Sequence, residues 1–196
     1  MADKSPADFL NHGRGDRRDF FLATVGRIAE EVGRRAEQRV VAKRYMRPPG
    51  ALEEVGFLVA CTRCGDCMPV CPVAAIVKVP TSGGLAAGTP MIDPNLQPCI
   101  VCSDMPCVAA CPTEALTTPE NGWTGYRMAT LELDSDRCIA FDGTECGVCA
   151  EACPVGEVAL TLDEDGCPVI HAEGCVGCGV CVRACVTSPS SLRIRY

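Results

Sequence analysis

The residues able to do chemistry in this 196-residue chain are its seventeen cysteines, sixteen of which fall into four runs of four. The runs are Cys61, Cys64, Cys67 and Cys71; Cys99, Cys102, Cys107 and Cys111; Cys138, Cys146, Cys149 and Cys153; and Cys175, Cys178, Cys181 and Cys185. Their first members stand 37–39 residues apart, so the pattern is an internal repeat. Pro72, Pro112 and Pro154 follow the first three runs, and Val186 follows the last. The first and fourth runs have the spacing C-x2-C-x2-C-x3-C, the ligation pattern of [4Fe–4S] clusters. Three thiolates must converge on one cubane face, and two-residue spacers curl the backbone around it with amides aimed at its sulfurs. The fourth cysteine reaches the other cluster of a pair. It is expected at a helix start, where the proline after it has a suitable φ and no donor to lose.

Three other uses of cysteine fit less well. A disulfide framework leaves one thiol over and has no need of four such runs. Structural zinc prefers two CxxC pairs around a longer spacer. A run decayed into scaffold would lack a member, and all four are complete. The spacing therefore predicts four [4Fe–4S] clusters on sixteen thiolates, with Cys167 as a small packing residue.

The middle runs depart from the ideal. Four residues separate Cys102 from Cys107, and seven separate Cys138 from Cys146. Outward-bulging loops tolerate such insertions. Because the outer runs share one spacing and the inner runs share insertions, a nested pairing is expected. Cys61, Cys64 and Cys67 would then take Cys185, and Cys175, Cys178 and Cys181 would take Cys71. The inner clusters would join Cys99, Cys102 and Cys107 with Cys153, and Cys138, Cys146 and Cys149 with Cys111. Sequential pairing, first run with second and third with fourth, remains the alternative.

The elements positioning these loops are short. Residues 129–133 and 168–171 read as strands leading into cysteine loops, and 74–79 and 158–162 as return strands. Residues 81–98, rich in Gly and Pro, read as a loop, as does 117–125, in which Trp123 is a packing anchor. The N-terminal region has another period: Phe21, Val25, Ile28, Val32 and Ala36 share one helical face, predicting an amphipathic helix over roughly 17–46. Pro48 and Pro49 end it. The chain divides into 1–50, helix and linker, and 51–196, the cysteine-bearing domain.

Composition excludes several classes. Aromatics are 5% of residues, too few for a conventional core of this size, so clusters must fill the interior. No uncharged run reaches the ~18 residues that span a bilayer. Residues 1–50 carry 11 basic and 7 acidic side chains, and the remainder 7 and 18, so the acidic domain repels nucleic acid. An oxidised cluster on four thiolates is formally −2, so four bring the chain from −7 to near −15 and favour basic partner surfaces. No Ser/His/Asp set or phosphate loop is present, and His12 and His171 stand apart from each other; His171, four residues before Cys175, reads as structural, with an approach to a cluster as the alternative.

Several stretches resemble the ferredoxin-type proteins of periplasmic nitrate reduction and methylamine oxidation, the NapG/MauM type. They are Arg47-Pro-Pro-Gly-Ala-Leu52, Ala87-Gly-Thr-Pro90, the C-x2-C-x4-C-x3-C-P of the second run and Cys138-Ile-Ala-Phe-Asp-Gly143. The similarity covers roughly residues 45–190. It implies an α+β fold of two bacterial-type dicluster ferredoxin-like modules plus the N-terminal helix. It also implies an electron carrier relaying electrons from a quinol-oxidising membrane partner toward a reductase or cytochrome. Such proteins open with a twin-arginine export signal, which Arg17-Arg18-Asp-Phe-Phe-Leu22 resembles. Arg27, Glu30, Glu31, Arg34 and Arg35 break the apolar stretch after it, and the related NapF type also keeps an early Arg-Arg without being exported. A location in the cytoplasm or on the cytoplasmic membrane face is expected, with a periplasmic location as the alternative; the helix is either a docking element or packs on its own cluster domain. An integral subunit of a larger oxidoreductase and a reductase-maturation accessory are the competing readings.

Overall fold

The structure, a computed structural model, describes residues 45–196. The helix expected over 17–46 lies outside the described residues except for Tyr45 and Met46, which are not helical. The cysteine-bearing unit begins at Arg44. Where the sequence boundary was expected after Gly50, residues 46–50 are already buried. Met46 is 1% exposed, and its carbonyl accepts from Ile92 N at 2.8 Å.

Two sequential halves share one plan, an inner hairpin inside an outer antiparallel closure. In the first half, β1 (Ile76–Lys78) pairs with β2 (Pro90–Ile92). The closure is a bridge of Ala51 with Leu116, flanked by Leu52 N→Ala115 O at 3.1 Å and Thr117 N→Gly50 O at 2.7 Å. In the second half, β3 (Thr130–Leu133) pairs with β6 (Leu192–Arg195), and β4 (Leu160–Leu162) with β5 (Pro168–Ile170). Ala51 and Leu116 are 65 positions apart, as are Thr130 and Arg195.

The expected strands at 129–133, 168–171, 74–79 and 158–162 contain β3, β5, β1 and β4. Two strands went unforeseen. β2 lies inside the segment read as a loop, together with a 3-10 turn at Thr81–Ala86. β6 alternates buried Leu192 and half-buried Ile194 with exposed Arg193 and Arg195. Those arginines meet Asp134 and Glu132 of the β3 side at 3.1 and 2.8 Å.

The helices are short: α1 (Glu54–Ala60), α2 (Pro106–Ala109), α3 (Val148–Glu151) and α4 (Val180–Ala184). They correct the expected place of the fourth cysteine. Cys107, Cys149 and Cys181, the third members of their runs, sit in the first turns of α2, α3 and α4. Cys111, Cys153 and Cys185 lie just beyond the helix ends. A residue before proline is pushed out of the α region, so Pro112 and Pro154 mark where these helices stop. A left-handed residue precedes each of the three helices: Met105, Gly147 and Gly179.

Candidate metal centres

The sixteen run cysteines line four cavities, four thiols to each. Set I is Cys61, Cys64, Cys67 and Cys111, with Phe57 and Leu116 in its wall. Set II is Cys71, Cys99, Cys102 and Cys107, walled by Ile76, Ile92 and Trp123. Set III is Cys153, Cys175, Cys178 and Cys181, beside Leu131 and Leu160. Set IV is Cys138, Cys146, Cys149 and Cys185, beside Leu133 and Leu192. Each set takes three thiols from one run and the fourth from its sequential neighbour.

The fold therefore does not make the nested arrangement. Cys71 faces the second run and Cys111 the first; Cys153 faces the fourth and Cys185 the third. The cause is backbone closure. The Ala51–Leu116 bridge folds the first run onto the second before the chain reaches residue 130, and the β3–β6 sheet does the same for the others.

Left-handed backbone bends the loops around the cavities. The residue before the second cysteine has positive φ in three runs: Arg63 at 63°, Val101 at 60° and Gly177 at 69°. So has the residue three after the fourth cysteine: Ala74 at 52°, Glu114 at 56° and Gly156 at 75°. A β-branched side chain at positive φ is strained, and Val101 bears that strain beside Cys102. Such turns direct amides inward; Ala75 N donates to Cys71 Sγ at 3.3 Å.

Burial pushes the thiols of Cys67 and Cys99 up to about 12 and those of Cys107 and Cys178 up to about 11. Burial also raises Cys181, helped by its neighbours Cys178 and Cys175. A thiolate in these cavities needs a cation to meet its charge. Cys185 runs the other way. Burial acts to raise it, but the hydroxyls of Ser191, Thr187 and Ser190 outweigh that and leave it at about 6. Its Sγ lies 3.2 Å from Thr187 Oγ1 and 3.3 Å from Ser191 Oγ. Cys111 is lowered against burial by the Thr113 and Leu116 amides and the Thr113 hydroxyl. Donors to sulfur of this kind tune cluster potentials.

The donor set fits iron–sulfur clusters. Each cavity is served by four thiols within an apolar wall. Among the described residues, no three Cys, His, Asp or Glu side chains converge closely enough for a single ion. Four thiols around a void suit a polynuclear cluster and not a lone zinc.

Residues outside the sets play supporting parts. Cys167 is buried against Cys138 and Ala140, and its amide donates to Asp163 Oδ1 at 2.8 Å. His171 Nε2 lies 2.8 Å from Thr161 Oγ1, across the β4–β5 hairpin. Trp123 does more than anchor its own loop. Its Nε1 donates to Cys102 O at 2.8 Å, which pins the second run. Its ring meets Tyr126 edge-on at 5.8 Å, and the Tyr126 hydroxyl accepts from Gly50 N at 2.7 Å.

Comparison with known proteins supports the cluster chemistry. The family model of the 4Fe-4S dicluster domain matches residues 60–115 and 98–157. The first match holds runs one and two, the pair joined in sets I and II. The second spans runs two and three, following linear cysteine spacing across the boundary between the structural halves. The methylamine utilization ferredoxin-type protein MauM of Paracoccus denitrificans is 35% identical over 183 residues, covering 89% of this chain and 78% of that protein. The ferredoxin-type protein NapG of Escherichia coli is 34% identical over 160 residues, covering 76% and 69%. The ferredoxin-type protein NapF of Escherichia coli is 29% identical over 149 residues, covering 75% and 84%. No solved structure matches the chain.

Proposed function

This chain belongs to the MauM/NapG ferredoxin-type 4Fe-4S proteins, and from that premise we propose that it relays single electrons between a redox donor and an oxidoreductase acceptor without a substrate site of its own. The donor this reading favours is a quinol-oxidising membrane protein. The four cavities of four thiols carry the reading. Sets I to IV are assigned as the ligands of the four clusters. A [4Fe–4S] cluster, when bound, accepts and returns one electron. The chain's own part is to hold the thiolates, aim amides and hydroxyls at sulfur, and keep water out with apolar walls.

Anaerobic reductive titration tests this. The holo-protein is expected to contain about sixteen iron and sixteen sulfide, to take up about four electrons per chain and to return them to an oxidant. Stoichiometric zinc, or iron that accepts no electrons, would overturn it. A maturation accessory would bind the immature reductase whether or not its clusters cycle.

The proposed location is the cytoplasm or the cytoplasmic membrane face, because Arg27, Glu30, Glu31, Arg34 and Arg35 interrupt the stretch after Arg17-Arg18. Among the described residues no helix is long and apolar enough to cross a membrane. Fractionation of native cells should recover the full-length polypeptide in the cytoplasm or on that face. Recovery from the periplasm would reverse the placement.

A further inference from the structure

Contacts between the thiol sets fix their order. Sets I and II meet in the first core, where Cys67 packs in one buried cluster with Cys99 and Cys107. The second half contributes only Val176 and Cys178 to the buried members of that cluster, and both belong to the loop of set III. The same loop rests on the chain leading into Cys99. Pro94 lies against Gly179 so closely that an added Cβ would stand 2.3 Å from it. Leu96 O accepts from Arg183 Nε at 3.4 Å. Set III meets set IV in the second core, where Cys181 packs with Cys149, and α3 lies against α4. Among the described residues, no buried cluster joins a set IV thiol to the first half.

Exposure follows the same order. Of the seventeen cysteines only Cys64 and Cys146 are exposed, one in set I and one in set IV. Five residues along the chain from each is an exposed apolar side chain. Val59, two residues before Cys61, is 84% exposed, and Phe141, in the loop between Cys138 and Cys146, is 47% exposed.

We infer that the four thiol sets stand in single file, I–II–III–IV, and that electrons pass between this protein and its partners at the two ends, Cys64 and Cys146. The inference rests on the carrier reading and adds the route. At each step one electron leaves a reduced centre, which is thereby oxidised, and reduces its neighbour. A one-electron redox protein supplies the electron at one end, and another removes it at the other. The order of sets along the path departs from that of the runs, since the third run supplies the far end and the fourth the junction.

Electron paramagnetic resonance tests the order on full-length holo-protein. Cys64→Ala/Cys67→Ala/Cys146→Ala/Cys149→Ala removes two thiols from each end set and leaves sets II and III whole. After reduction this variant should hold about eight iron and show one mutually split spectrum from two adjacent centres. Two superimposed, unsplit signals from eight iron would overturn the file. That failure differs from failure of the carrier reading, in which iron takes up no electrons. Reduced wild-type protein with a soluble dysprosium chelate provides a second measurement that needs no variant. Two of the four centres, those of sets I and IV, should relax faster with the chelate. An equal response of all four would overturn the placement of the ends.

Discussion

Gly177→Ala is expected to strip the cluster from set III and to cost more than about 4 kcal/mol, the range reached only by severe steric or backbone faults. Gly177 lies between Cys175 and Cys178 at φ 69°. A Cβ there would sit 2.0 Å from Ala129 O and 2.8 Å from Ala129 N, both backbone atoms. Neither can move cheaply, because Met128 N donates to Val176 O at 2.9 Å in the same contact and Thr130 begins the outer sheet. The left-handed conformation alone costs an alanine about 1–2 kcal/mol; the collision adds the rest.

The control is Gly166→Ala in the β4–β5 turn. Gly166 has φ 79°, yet nothing lies within 4 Å of the added carbon. It should lose only the conformational cost and keep its iron. Iron analysis and thermal unfolding of both holo-proteins decide the matter. Equal iron content and stability in the two variants would defeat the argument.

That contact also shows what the sequence could and could not disclose. The sixteen thiols were legible because their spacing is local: a tight loop around a cubane dictates C-x2-C wherever it occurs. Which fourth thiol closes which set is not local. It depends on Ala51 meeting Leu116 and Thr130 meeting Arg195, 65 positions away in each case. The insertions that suggested nesting sit elsewhere. The seven residues between Cys138 and Cys146 include a 3-10 turn at Ile139–Asp142 and run on exposed from Phe141 to Cys146, and so say nothing about pairing. The two additional residues between Cys102 and Cys107 place left-handed Met105 ahead of α2.

β6 carried a signal that went unused, because Leu192 and Ile194 alternate with Arg193 and Arg195 in the period of a half-buried strand. β2 carried none. Three residues opening on Pro90, among glycines and prolines, become a strand only because Ile76–Lys78 lies alongside. Trp123 belongs with β2, since its bond to Cys102 O is set by tertiary structure.

Arg47→Met should lower stability by roughly 3–5 kcal/mol, the cost of breaking a buried ion pair by removing one partner. For a chain of this size that is a fall in Tm of about 6–20 °C. Arg47 is 8% exposed, and its guanidinium makes a two-pronged contact with Glu54, Nε to Oε2 at 2.9 Å and Nη2 to Oε1 at 2.5 Å. The remaining nitrogen, Nη1, donates to Thr89 Oγ1 and to Pro90 O, each at 2.8 Å. The group also lies 4.6 Å over the ring of Phe57, a cation–π contact on a fully buried aromatic. One side chain thus ties the start of the unit to α1, which ends just before Cys61, and to β2 of the inner hairpin.

Removing it leaves the Glu54 carboxylate partly buried without a cation and Pro90 O without this donor. Arg47→Lys keeps the charge but loses the planar fork, and an intermediate loss is expected. Arg47→Met/Glu54→Leu removes both charges together and should recover part of the loss. Thermal unfolding of the anaerobic holo-proteins at one scan rate measures all three. A single variant as stable as wild type, or a double variant no better than Arg47→Met, would show that the pair is not what fastens α1 to the hairpin. The expected outcome also gives the Arg47-Pro-Pro-Gly-Ala-Leu52 stretch a physical role. It closes the first half through Gly50 and Ala51 and, through Arg47, fixes the helix that delivers Cys61.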